Sequence, residues 1–138
     1  MSRAVKFTAS SKQIEFYSDF LANLELNPIT EQLARATNEN AVGNSIKQLV
    51  LTNLGERFYQ PNVGSMVQLG LFEPDDLPMH DLLKTSITNT IQSQEPRANL
   101  QDVRVHSNPD NHLINIQVIY SLKNVPGVFT TSVPIRVR

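Results

Sequence analysis

The last third of the chain alternates apolar and polar residues with a period of two, the pattern of strands buried on one face. Val103 and Val105 fall on one side, Arg104 and His106 on the other. Ile114, Ile116, Val118, Tyr120 and Leu122 then share a face, with Asn115, Gln117 and Ser121 opposite. Val133, Ile135 and Val137 alternate with Pro134, Arg136 and Arg138. Between these runs, Ser107-Asn108-Pro109-Asp110-Asn111 and Lys123-Asn124-Val125-Pro126-Gly127 carry turn chemistry. The pattern predicts an antiparallel meander of three strands. Pro134 has no N–H for a ladder, which assigns the last strand to the edge of the sheet.

Upstream the period lengthens to that of a helix. Val42, Ile46, Leu49 and Val50 recur at i, i+4, i+7 and i+8 and predict a helix over 39–53. Asn38 or Asn40 suits its N-cap, and Gly55 a left-handed closing residue. Residues 55–74 carry three Gly and two Pro among apolar residues and read as loop, with room for one short strand at Arg57–Tyr59. Asp75 or Asp76 can cap a second helix with Pro78 in its first turn. Leu83, Ile87 and Ile91, joined by Leu82, give this helix an apolar face, opposite Lys84, Thr88, Asn89 and Gln92. Pro96 ends it near Glu95 by disfavouring a helical residue before it.

The expected fold is α+β: two helices packed on a C-terminal antiparallel three-stranded meander, with an N-terminal arm. The arm takes residues 1–37 and a single α+β domain residues 38–138. In the arm, Phe16, Tyr17, Phe20, Leu21 and Leu24 crowd at helix-like spacing before Asn27-Pro28 interrupts. That spacing suits a short helix packed on the core. It equally suits an extended arm whose aromatics dock on a partner.

Composition narrows the function. The chain has 138 residues, 40% of them hydrophobic, enough for one core. Only 18% are charged, below the usual roughly 25%, and 13 Asn and 9 Gln supply much of the polar surface. A net charge of −1 without a Lys/Arg run argues against nucleic acid. No stretch approaches the roughly 18 apolar residues of a membrane span, and Met1–Ser10 lacks the apolar core of a secretory signal. Neither a membrane nor a secretory route is expected, and synthesis in the cytosol fits. Having no Cys removes disulfides, thiolate metal sites and Cys nucleophiles, and having no Trp removes the best sugar-stacking surface.

Catalytic patterns are sparse. His80, His106 and His112 lack metal-ligand spacing, so neither a metal nor a cofactor is expected. Glu39, Glu56, Glu73 and Glu95 sit at element ends or in loops, where carboxylates most often serve as caps or dipole partners. A glycosidase needs two carboxyls roughly 5–10 Å apart, one with a raised pKa. No catalytic residue is assigned.

One longer constellation carries a resemblance. Leu33-Ala34-Arg35-Ala36-Thr37-Asn38-Glu39-Asn40-Ala41-Val42 leads to Ser45-Ile46 and Leu49-Val50-Leu51-Thr52-Asn53. Gly55-Glu56-Arg57, Pro61, Gly64 and Leu71-Phe72-Glu73-Pro74 follow, and Glu95-Pro96-Arg97 sits between the second helix and the meander. Over residues 16–137 this resembles the small baseplate wedge protein of contractile-tailed phages, a sheath-initiator family once labelled lysozyme-like. Its relatives serve in type VI secretion baseplates and contractile bacteriocins.

The resemblance implies a non-enzymatic virion protein of the tail baseplate, assembled in the host cytoplasm in six copies around the tail tube. Its implied partners are the wedge core-bundle proteins, the tail sheath protein and, as a neighbour, the tube. Glu95, Pro96 and Arg97 would clamp the core bundle. The edge strand, with Val133, Ile135, Arg136 and Val137, would accept sheath strands. Two plainer readings stand beside these. Glu95 and Arg97 could tie the loop to their own domain, and the edge charges could merely block unwanted pairing. The alternative function, a peptidoglycan-degrading glycoside hydrolase, requires a buried Glu that opens into a cleft.

Overall fold

A computed structural model describes residues 14–21, 23–70, 77–108, 110 and 112–136. Strand β1 (Ser18–Phe20) pairs antiparallel with β2 (Arg35–Thr37). Helix α1 (Asn38–Leu51) follows, then a single helical turn α2 (Val67–Gly70), helix α3 (Leu77–Gln94), and strands β3 (Ala98–Asn108), β4 (Leu113–Leu122) and β5 (Val128–Arg136). The second sheet has the order β3-β4-β5, antiparallel throughout, with β4 in the centre. The α+β architecture and the edge position of β5 match the sequence expectation.

The core forms where the two periodicities meet. Ile114, Ile116, Val118, Tyr120 and Leu122 of β4 are all buried, as are Val133 and Ile135 of β5. Val42, Ile46 and Val50 of α1 and Leu83, Ile87 and Ile91 of α3 close over them in one cluster. Gly43 lets α1 approach the sheet. A Cβ there would stand 2.8 Å from Thr131 Oγ1 and 3.1 Å from Tyr120 Oη. Into that space the Tyr120 hydroxyl donates to Glu39 O (3.2 Å) and shares a hydrogen bond with Thr131 (3.3 Å).

Several local expectations are corrected. Leu82 is 58% exposed, because it sits about 100° around α3 from the buried stripe of Met79, Leu83, Ile87 and Ile91. Arg57–Tyr59 form no strand. They lie in turns closed by Gly55 N–H to Pro61 O (2.8 Å) and Gln60 N–H to Arg57 O (3.2 Å). Gly55 has φ +84° but belongs to that turn, since α1 already ends at Leu51 with Thr52 as its C-cap. Helix α2 has no counterpart in the sequence reading. Asp75 and Asp76, like Leu71 to Pro74, lie outside the described residues.

Where it is described, the arm is made of short strands and turns, with no helix. Neither Asn38 nor Asn40 is the N-cap of α1; that position belongs to Thr37. Asn38 instead adopts φ +47°, a left-handed conformation that Asn tolerates. Its amide works outward: Oδ1 accepts from Phe16 N–H (2.9 Å) and Tyr17 N–H (3.4 Å), and Nδ2 donates to Ile14 O (3.0 Å). Its own N–H donates to Tyr17 O (2.8 Å). One buried side chain thus bolts the arm to the start of α1.

Candidate functional site

Glu95, Pro96 and Arg97 make the corner between α3 and β3. The last helical bond runs from Glu95 N–H to Ile91 O (2.9 Å). Gln94 stitches the neighbouring loop to the helix end. Its Oε1 accepts from Gly64 N–H (2.9 Å), and its Nε2 donates to Asn62 O (3.0 Å) and Gly64 O (3.2 Å).

Glu95 is 2% exposed, and its carboxylate is held entirely within the chain. Arg97 donates through Nε to Oε1 (2.6 Å) and through Nη2 to Oε2 (2.7 Å), a two-point fork. Ser45 Oγ, on the facing side of α1, donates to Oε2 (2.6 Å). Burial pushes this carboxyl up, but the bonds from Arg97 and Ser45 and the Arg97 charge outweigh it and hold Glu95 below the ordinary range. The bond to Glu95 raises Arg97 in turn, against the effect of burial. The plainer reading, in which Glu95 and Arg97 tie the corner to their own domain, is therefore realised in the fold.

Arg97 is not used up by this pair. Its side chain is one-third exposed. Nε and Nη2 point inward, and no further hydrogen bond from the guanidinium is made among the described residues. Pro96 is exposed beside it. Ser45 completes the site yet is 50 positions from Glu95 in sequence.

The second candidate surface is the open edge of β5. Val133 and Ile135 have their side chains in the chain's own core. Pro134 pairs with Asn115 and has no N–H, so it fits the kind of antiparallel pair that exchanges no main-chain bonds. Thr130, Ser132 and Arg136 share its parity and turn their main-chain groups to the open edge. Val133 and Ile135 then face β4 with their main chain as well as the core with their side chains. Arg136 is exposed, and Val137 lies outside the described residues.

The opposite edge of the sheet is built differently. The β3–β4 register shifts between Leu100 and Asp102, and Asp102 binds both Lys84 (3.2 Å) and Arg104 (3.1 Å). A bulge and a charged cluster together obstruct pairing on that side.

Among the described residues no group of three or more His, Asp or Glu is arranged to hold a metal. An open hollow of about 510 Å³ lies on the outer sheet face near the β3–β4 turn. Among the described residues its lining includes His106, Asn108, Leu113, Asn115, Ser132 and Pro134, and no carboxylate.

The chain resembles in fold a Geobacter sulfurreducens protein described as a candidate tail lysozyme, at 19% identity, covering 77% of this chain and 96% of that one with a TM-score of 0.71. A chain of the anti-feeding prophage baseplate matches at 18% identity over 88% of this chain and 86% of its own, TM-score 0.61. A chain of the post-contraction pyocin R2 baseplate matches at 17% identity over 72% and 98%, TM-score 0.57. No curated protein sequence matches. The family model described as baseplate wedge protein gp25 matches residues 36–127, two-thirds of the chain, and so this chain belongs to the baseplate wedge protein gp25 family.

Proposed function

We propose that this chain is a structural, non-catalytic component of a contractile-tail baseplate, assembled in the host cytoplasm and carried in the virion. In this reading it joins two neighbours. The Glu95-Pro96-Arg97 corner clamps the wedge core bundle, and the β5 edge accepts a strand of the first sheath subunits by main-chain pairing. The tail tube is a further neighbour.

The observation that carries the reading is the asymmetry of the sheet. The β3 edge is bulged and charged, while β5 leaves main-chain groups of Thr130, Ser132 and Arg136 unpaired within the sheet. The outward part of Arg97 supports the clamp. With Nε and Nη2 locked on Glu95, its remaining N–H groups suit a carboxylate or the free carbonyls of a helix end.

The test separates the two functions. Ser132→Pro removes an outward N–H and leaves the β4 ladder intact; Arg136→Pro does the same nearer the end. Both variants are expected to form wedges but not to nucleate sheath, read by electron microscopy of assembled tails. Sheaths of normal length on these baseplates sink the strand-acceptor reading. Tails assembled without the chain are expected to be naked tubes.

The likeness to a described tail lysozyme candidate makes a peptidoglycan hydrolase the second reading. It needs a carboxyl kept protonated beside a cleft. Among the described residues Glu95 is the buried carboxyl, and it is held ionised and closed off by Arg97 and Ser45. A muralytic assay on the purified chain is expected to show no cleavage.

A further inference from the structure

Tyr17 is the arm residue that reaches the corner. Its ring lies under the Arg97 guanidinium, with Arg97 Cζ 5.8 Å from the ring centre. It packs against the core, while Phe16 and Phe20 on the opposite side of the strand are half exposed. Three ties fix it. Asn124 Nδ2 donates to its hydroxyl (3.1 Å), Asn38 N–H donates to its carbonyl (2.8 Å), and Asn38 Oδ1 accepts from its N–H (3.4 Å). Asp19, two residues on and so on the same strand face, adds its negative field at Arg97.

Glu95 grips Arg97 along one edge of the guanidinium. A two-point fork fixes that plane against sliding but leaves it free to tilt about the line joining the two bonds. A ring lying over its face, with Cζ 5.8 Å from the ring centre, opposes the tilt. We infer that Tyr17 is a positioning residue for Arg97: the arm is a strap that sets the angle at which the guanidinium's outward N–H groups meet a partner. This rests on the reading that Arg97 contacts the wedge core, although the hold itself exists in the free chain. The arm and the corner are then one device. A neighbour that displaces the arm also loosens Arg97.

The test uses the full chain and two readouts. The first is water exchange of the Arg97 Nε–H by NMR, which needs no partner. Tyr17→Leu keeps apolar bulk but loses the π face. It is expected to speed exchange by on the order of threefold to fivefold, the factor an exposed cation–π contact supplies. Tyr17→Phe keeps the face and is expected to restore the wild-type rate. Unchanged amide signals from β3–β5 establish that the variants are folded.

The second readout is affinity for purified wedge proteins of the same contractile system, expected to fall by a similar factor in Tyr17→Leu only. If Tyr17→Leu leaves both exchange and affinity unchanged, the inference is overturned. If Tyr17→Phe loses as much as Tyr17→Leu, the hydroxyl tie is what matters and the stacking role is overturned. Unaltered affinity in Arg97→Ala sinks the partner reading separately, and the exchange rate still decides whether Tyr17 holds Arg97.

Discussion

The body of the molecule and its arm solve the same problem in opposite ways. In the body, two helices and three strands bury one contiguous cluster, and every element contributes side chains to it. In the arm, two three-residue strands pair over almost nothing. Ile14, Leu24, Leu26 and Ile29 are each more than 60% exposed, and Phe20 is 53% exposed. A two-stranded ribbon is at best marginal alone, so the arm's position depends on a few polar bolts at Asn38 and Tyr17. The difference teaches that order in this chain has two sources. Apolar burial builds the body, while a few hydrogen bonds and the two inward side chains Tyr17 and Ala36 place the arm.

The largest test of that contrast is paired truncation. Ile87→Ala in the body should cost about 3 kcal/mol, because a fully buried Ile leaves a cavity. Ile29→Ala in the arm, 89% exposed, should stay within about 0.5 kcal/mol. Chemical denaturation of both variants measures the gap, and equal losses would erase the distinction between the regions.

Next comes the corner. Arg97→Ala leaves a buried carboxylate with only Ser45, and should cost about 2 kcal/mol in thermal unfolding. The pH dependence follows from the direction of the Glu95 shift. Its folded value lies below its unfolded one, so its contribution is complete above the ordinary carboxylate range and is lost as pH falls through the folded value. In Arg97→Ala burial is less opposed, so the folded value rises toward the unfolded one and the Glu95 contribution to the acid limb should shrink: stability is lost chiefly at neutral pH, and the curve flattens on the acid side.

Gly43→Ala should come third, at about 1 kcal/mol. Crowding against Thr131 and Tyr120 outweighs the gain in helix propensity. Last comes Asn38→Gly, which keeps the left-handed conformation and removes only the amide. Unfolding of the body should shift by less than about 1 kcal/mol. Hydrogen exchange at Phe16 and Tyr17 should rise toward the unprotected rate, separating the arm from an intact body.

How far the sequence reveals these features depends on their range. The face of β4 is legible because five alternating residues, Ile114 to Leu122, encode it locally, and α3 is legible from Leu83, Ile87 and Ile91. Pro134 names its own place at the edge. The corner is only half legible. Pro96 shows that the helix stops, but nothing near Glu95 indicates Ser45, which meets it through packing of α1 against α3. Loop 55–65 is opaque for the same reason, since Gln94 organises it from 30 residues away. Leu82 and Asn38 mislead in a different way. Leu82 is apolar but one position off the buried stripe, and Asn38 has the right chemistry for a cap but spends it on the arm.

Gly43 reaches further than its own contacts. Its bare Cα sets how near α1 rides to the sheet, and Ser45 projects toward Glu95 only two residues further along the same helix. Lifting that segment by a few tenths of an ångström would stretch a 2.6 Å bond out of its strong range and weaken one of the donors that keep Glu95 ionised. The seating of one helix thereby bears on a hydrogen bond to an acid 52 positions away, through a residue that has no side chain at all.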